Sequence, residues 1–278
     1  MKTFSLNLLE KETDYGFMPT LTAYLLDGNP NEKEYRPAVL VIPGGGYGGV
    51  SYREGERIAL AYSGAGFHTF ILNYCCAPHR HPMPIYNAAD SIELIRKNAE
   101  EWGIDSDKIA VCGFSAGGHL AASVSTLWND ESIFEGGCEV NKLHKPNASI
   151  LCYPVITSGE HAHKGSFKNL TGSETENELW KKMSLETKVD KNTPPAFLWH
   201  TYADALVPVE NSLLYAKSLR ENNIPFEMHI YPDGPHGMSC VSDETYWEIP
   251  KFTRKYPWIK QSIEWLYLVF GLTKIEKE

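Results

Sequence analysis

The chain reads as an α/β protein, a mostly parallel sheet of eight strands with helices on both faces. Two observations predict this class. Short apolar runs alternate with segments of helical periodicity through most of the 278 residues, the order that a parallel sheet joined by crossover helices requires. The runs from Val39 onward are almost continuously apolar, as strands covered on both faces are. The first two instead alternate apolar with polar residues, in the manner of an antiparallel edge.

Taken in order, Phe4–Leu9 and Leu21–Leu26 form that edge, and Asp27-Gly-Asn-Pro30 is a turn after them. Ala38–Ile42, Thr69–Tyr74, Ile109–Cys112, Ala148–Tyr153, Ala196–Thr201 and Glu227–Tyr231 are the buried runs expected to form the central strands. Apolar residues at helical spacing place helices at Gly55–Ser63, Ala88–Trp102, Ala116–Trp128, Val209–Asn222 and Pro257–Phe270. Between Tyr153 and Thr193 the pattern loosens, with a polar helical patch around Glu176–Met183. An insertion there, residues 154–193, would lie above the carboxyl ends of the strands, where open sheets bind ligands, as a small cap. The whole chain, 1–278, is expected to be one domain.

Composition narrows the partners. With 26 Lys plus Arg against 35 Asp plus Glu, a formal charge of -9, and no basic run, the chain suits neither nucleic acid nor an anionic membrane surface. The first dozen residues hold too few consecutive apolar residues for a signal-peptide core, and no later run approaches membrane-spanning length, so a soluble cytoplasmic protein is expected. Cysteines at 75, 76, 112, 138, 152 and 240 show no metal-ligand spacing, and Cys112 and Cys152 sit within buried runs, so neither disulfides nor a zinc site are expected. Asn147-Ala-Ser149 matches a glycosylation sequon, read here as a chance match.

One segment carries chemistry. The apolar run Ile109-Ala-Val-Cys112 feeds into Gly113-Phe-Ser-Ala-Gly117 and then a helix of small residues. A serine hydroxyl is a weak nucleophile, and a Gly-x-Ser-x-Gly turn between strand and helix raises it where a base and backbone N–H groups can reach it; this is the nucleophile elbow of an α/β-hydrolase. Ser115 is the candidate nucleophile. That fold supplies its acid next and its histidine last. Asp204 follows the run Pro195–Thr201 on a loop before a helix, where it can hold an imidazole, although an Asp there can also serve only as a cap. His236 lies in Pro232-Asp-Gly-Pro-His-Gly237 after the final strand, a turn that suits a general base. Asp233 competes with Asp204 as its partner, but it sits only three residues away on the same turn. Ala116, next after the nucleophile, supplies one oxyanion donor. The Gly-rich loop Pro43-Gly-Gly-Gly-Tyr-Gly-Gly49 supplies the second site, and it lacks both P-loop and dinucleotide-binding spacing.

In Pro43-Gly-Gly-Gly-Tyr47, Gly113–Ala121, Asp204 with Val207–Ser212, and Gly234-Pro-His-Gly237, the chain resembles the esterase/lipase branch of the α/β-hydrolases. That branch includes hormone-sensitive-lipase-like carboxylesterases and bacterial acetyl-xylan esterase-like enzymes. The resemblance implies a triad of Ser115, Asp204 and His236, with Gly45 and Gly46 joining Ala116 as oxyanion donors. It also implies hydrolysis of sugar esters without metal or organic cofactor. Pro43 stands where the hormone-sensitive-lipase pattern has His, which shifts the expectation toward small acyl groups on sugars. Tyr47, Trp199 and the segment His161–Ser166, with His163 within it, are candidates for substrate contact, against ordinary packing. A small-molecule ester is the expected partner and a homodimer is open. A general short-chain carboxylesterase, a small peptidase of the same fold, or a hydrolase-like binding protein without catalysis are the alternatives.

Overall fold

The computed structural model describes residues 1–28, 34–134, 141–240 and 256–272. Eight strands form one sheet: β1 (Lys2–Asn7), β2 (Thr20–Leu25), β3 (Arg36–Ile42), β4 (His68–Asn73), β5 (Ile104–Phe114), β6 (Ala148–Cys152), β7 (Ala196–Thr201) and β8 (Phe226–Tyr231), in the order β1-β2-β4-β3-β5-β6-β7-β8. β1 pairs antiparallel with β2 and β2 antiparallel with β4, while every pairing from β4 and β3 through to β8 is parallel. Both the strand count and the antiparallel edge agree with the alternation pattern.

The helices are α1 (Glu56–Gly64), α2 (Met83–Lys97), α3 (Ala99–Trp102), α4 (Ala116–Thr126), α5 (Glu131–Phe134), α6 (Lys164–Thr171), α7 (Glu178–Lys182), α8 (Glu210–Glu221) and α9 (Trp258–Val269). Along β3, Ala38, Leu40 and Ile42 join one buried cluster with residues of α2, α4 and α8, whereas Val39 and Val41 join another with residues of α1 and α9. The period-2 alternation of a strand thus points into two cores rather than one core and water, which is why the run is apolar throughout.

Three differences from the sequence reading have local causes. β5 begins at Ile104, not Ile109, because Arg36 pairs with Ile104 across an irregular register; the intervening Asp-Ser-Asp-Lys is too polar to read as a buried strand. α2 begins at Met83 rather than Ala88, since Pro84 stands in its first turn, where a missing N–H costs no hydrogen bond. The same helix ends at Lys97, and a separate turn, α3, follows Asn98 and stops at Gly103 in the left-handed conformation. Within 154–193 the polar patch forms α7, and the sequence reading missed α6, which is capped by His163 accepting from the Ser166 N–H and closed by left-handed Gly172. Cys138 lies outside the described residues. Among the described residues, no helix is long and apolar enough to cross a membrane.

Because the central strands are parallel, the loops after β3, β5, β7 and β8 all emerge at one edge of the sheet, and these loops carry the Gly-rich segment, Ser115, Asp204 and His236. Leu40, with no exposure to solvent, lies at the middle of this arrangement. Leu40→Ala is expected to destabilise the protein by about 2–5 kcal/mol, read as a lower urea midpoint at unchanged m-value.

Candidate active site

The turn from β5 into α4 is tight enough to exclude side chains. A Cβ on Gly113 would lie 2.2 Å from the Gly117 carbonyl oxygen, and one on Gly117 would lie 2.2 Å from the carbonyl of Ile42 and 2.3 Å from that of Pro43. Between them Ser115 adopts φ 53°, ψ -119°, a region that costs a non-glycine residue on the order of 1–3 kcal/mol. The strain is held by hydrogen bonds on both sides. The Ser115 N–H donates to the Cys152 carbonyl and the Ser115 carbonyl accepts from the N–H of Val155. The hydroxyl is thereby raised to the edge of the sheet.

His236 Nε2 lies 2.7 Å from Ser115 Oγ and His236 Nδ1 lies 2.6 Å from Asp204 Oδ2. Asp204 is acceptor-only when ionised, so Nδ1 carries the ring proton and Nε2 is left to receive that of the serine. Asp204 fills both roles that the sequence left open: its second oxygen accepts from the N–H groups of Leu206 and Val207, capping the turn. Burial opposes its charge, but hydrogen bonds from His200 and His236, the charge of His236 and the Val207 N–H together hold its carboxyl well below the ordinary value of 3.8. Asp233, the competing acid, accepts instead from the hydroxyl of Tyr256. The ring of Tyr153 stands edge-on to His236 with centroids 5.0 Å apart.

The Gly-rich loop is clasped from several sides. Its Pro43 carbonyl accepts from Tyr74 Oη, its Gly44 carbonyl from the Ser51 N–H, its Gly46 carbonyl from Asn169 Nδ2 of α6, and its Tyr47 carbonyl from the Ala77 N–H. Gly45 has φ 131°, and a Cβ there would meet the Gly49 carbonyl oxygen at 2.2 Å. Among the described residues, the N–H groups of Gly45 and Gly46 donate to no backbone carbonyl, and Ala116, first residue of α4, has no acceptor within its helix. These are groups able to meet a developing oxyanion.

The three residues proposed for substrate contact lie in different settings. Trp199 is wholly buried, stacked on Trp258 with centroids 5.2 Å apart, so it is a core residue out of a substrate's reach. Tyr47 is also buried. Its hydroxyl donates to His119 Nδ1, and His119 Nε2 donates to the Met183 carbonyl. Burial pushes His119 down to about 4, which leaves Nδ1 free to accept. Tyr47 and His119 therefore brace the Gly-rich loop from beneath. His163 is half-buried and accepts from Ser166 Oγ at 2.8 Å. Burial, and secondarily the charge of His236, lower its pKa while Asp204 raises it, so it lies within the electrostatic field of the His236–Asp204 pair. Sequence reasoning assigned no site role to Asn169 or His119. Asp90, Glu93 and His144 could together hold a cation, their ligand atoms lying within 4.8 Å of one another. They sit near the amino end of β6, away from Ser115, and Glu93 is ion-paired with both His144 and Lys97.

The depressed Asp204 carboxyl has a consequence for stability. Its contribution is complete above the ordinary carboxyl range and is lost as pH falls below 3.8 toward its folded-state value. Asp204→Asn is therefore expected to flatten the acid side of the Tm-against-pH curve between about pH 5 and pH 2 relative to the parent protein, measured by calorimetry.

A family model described as BD-FAE matches residues 26–219. Among curated proteins, the chain is 38% identical over 240 residues to an endo-1,4-beta-xylanase B of Butyrivibrio fibrisolvens, covering 84% of this chain and 37% of that protein. It is 32% identical over 244 residues to an acetylxylan esterase of Xylanibacter ruminicola, covering 85% and 46%. The chain thus spans less than half the length of both relatives. Among solved structures, an acetyl ester-xyloside bifunctional hydrolase from Caldicellulosiruptor lactoaceticus is similar at a TM-score of 0.82 and 37% identity over 96% of each chain. A carboxylesterase from Lactobacillus plantarum WCFS1 is similar at a TM-score of 0.80 and 26% identity over 98% of each chain. With its Gly-rich loop, serine elbow and eight-stranded sheet, the chain belongs to the BD-FAE family and has the fold of the α/β-hydrolase esterases.

Proposed function

We propose that the chain is a serine carboxylic-ester hydrolase that removes acetyl groups from small acetylated sugars such as xylo-oligosaccharides. The observation that carries this reading is the unbroken array Ser115 Oγ, His236, Asp204, with contacts of 2.7 and 2.6 Å, beside the unpaired N–H groups of the Gly-rich loop. Ser115 attacks the ester carbonyl while His236 Nε2 takes its proton. The oxyanion forms against the N–H groups of Gly45, Gly46 and Ala116, each worth about 2.7–4 kcal/mol in the transition state. The imidazolium, held by Asp204, then protonates the departing sugar oxygen and leaves an acetyl-serine. Water attacks the acetyl-serine as His236 takes its proton, and the second tetrahedral intermediate collapses to acetic acid as His236 returns that proton to Ser115 Oγ, freeing the enzyme.

The sugar part rests on the names of the relatives, an acetylxylan esterase and an acetyl ester-xyloside hydrolase.

Ser115→Ala is expected to lower kcat on p-nitrophenyl acetate by about 10⁴-fold or more and to abolish labelling by a fluorophosphonate probe, with the fold retained by circular dichroism. No labelling of the folded parent protein would remove the nucleophile assignment and favour a binding protein. Acetate release from acetylated xylo-oligosaccharides should accompany a steep fall in rate from acetyl to butyryl and longer p-nitrophenyl esters. Equal turnover of octanoyl esters would rule out a preference for acetyl groups.

A further inference from the structure

Behind the Gly-rich loop lies a carboxyl group that the mechanism above does not use. Glu54, in the short turn Tyr52–Glu54 that precedes α1, is 3% exposed. Its Oε2 accepts from the Gly44 N–H at 2.8 Å and its Oε1 from the Tyr153 hydroxyl at 2.6 Å. The Tyr153 oxygen itself accepts from the Ser239 N–H at 3.0 Å, so its proton is directed to Glu54. Both carboxylate oxygens thus face donors, and neither is placed to carry a proton toward an acceptor.

We infer that Glu54 is an ionised positioning residue of the site. It joins the oxyanion loop, through Gly44, to the face of His236, through Tyr153, and its charge stabilises the imidazolium that forms when His236 takes the proton of Ser115. The inference rests on the assignment of Ser115 and His236 made above.

Gly44 is where the loop comes nearest to the nucleophile. A Cβ there would lie 2.9 Å from both Glu54 Oε2 and Ser115 Cβ, so the carboxylate fixes the start of the segment whose next two N–H groups meet the oxyanion. On the other side, Tyr153 has φ 36°, a strained conformation for a tyrosine, and puts its ring edge on His236. Ser239 ties the end of the His236 turn into the same network, its Oγ donating to the Arg53 carbonyl and its own carbonyl accepting from Trp258 Nε1. Burial raises the Glu54 carboxyl above its ordinary value, opposed by the bonds from Tyr153 and Gly44 and by the charges of His236 and Arg53. The attraction between His236 and Glu54 is mutual, since linkage is reciprocal. Among the described residues, Asp204, His163 and Tyr153 also face His236, while Tyr74, Cys152 and Arg53 lie within the field of Glu54.

Glu54→Gln keeps size and hydrogen-bonding capacity but removes the charge. Its kcat on p-nitrophenyl acetate is expected to fall about 10- to 100-fold, with KM within about threefold of the parent value. The acidic limb of the pH–rate profile, and the NMR titration of the His236 imidazole, should both move to lower pH by about one unit. A wild-type kcat overturns the inference, and so does a reduced kcat with both titrations unmoved, which would leave Glu54 a merely structural part. Should Glu54→Gln not fold, Tyr153→Phe decides: it keeps the ring and removes only the hydroxyl that joins it to Glu54, so a tenfold fall in kcat together with a moved His236 titration supports the coupling, and an unchanged kcat or an unmoved titration overturns it. The NMR titration needs no turnover. A chain without esterase activity would therefore overturn the reading of Ser115 while leaving the coupling of Glu54 to His236 open to direct measurement.

Discussion

Everything at the carboxyl edge of the sheet depends on backbone meeting backbone where β5 turns into α4. The carbonyls of Ile42 and Pro43 and the backbone of Gly113 and Gly117 share a space that a single methyl group would break. This contact brings the end of β3 against the start of α4, so the Gly-rich loop and Ser115 have one relative position. Asp204 and His236 arrive from β7 and β8, whose parallel pairing carries their loops to the same edge. A serine held at positive φ is costly, and the cost is offset by packing in the two cores on either side of the sheet.

The site is built less from exposed side chains than from buried polar ones that hold backbone in place. Tyr74, Asn169 and the Tyr47–His119 pair each fix part of the Gly-rich loop, and each acts through a carbonyl or a ring rather than by touching a substrate. In a buried setting such groups must be fully paired, since an unpaired donor or acceptor costs about 1–3 kcal/mol. The same requirement makes the network stiff. An oxyanion site gains from stiffness because its donors need no reorganisation as charge develops.

Much of this was legible in the chain. The serine elbow, the acid after the seventh strand and the histidine in its Pro–Gly turn have fixed chain order and distinctive neighbours, so Ser115, Asp204 and His236 could be named without coordinates, and they meet within hydrogen-bonding distance. The sheet was legible because runs such as Val39–Ile42 are apolar on both faces. The remainder depends on which way a side chain points. Trp199 looked available beside a site-bearing loop, yet its neighbours alternate between two cores and its own position faces the one shared with α1 and α9. Glu54 sits in a polar stretch, Tyr-Arg-Glu-Gly-Glu, in which nothing distinguishes the buried carboxylate from exposed Glu56. α6 was hidden because its few apolar residues, Phe167 and Leu170, are too sparse to show a period.

The attachment of α6 has a consequence for how such a protein can diversify. The helix reaches the Gly-rich loop through one side-chain amide, Asn169; beside it Arg80 donates to the carbonyls of Lys168 and Asn169, and Phe167 and Leu170 pack into the core. The segment therefore borders the Gly-rich loop without taking part in the strand pairing of the sheet. Changes of length or sequence in this connection can reshape what enters while the strands that carry serine, acid and histidine stay in register. Within one fold, this connection can then vary while the sheet edge that it borders keeps its geometry.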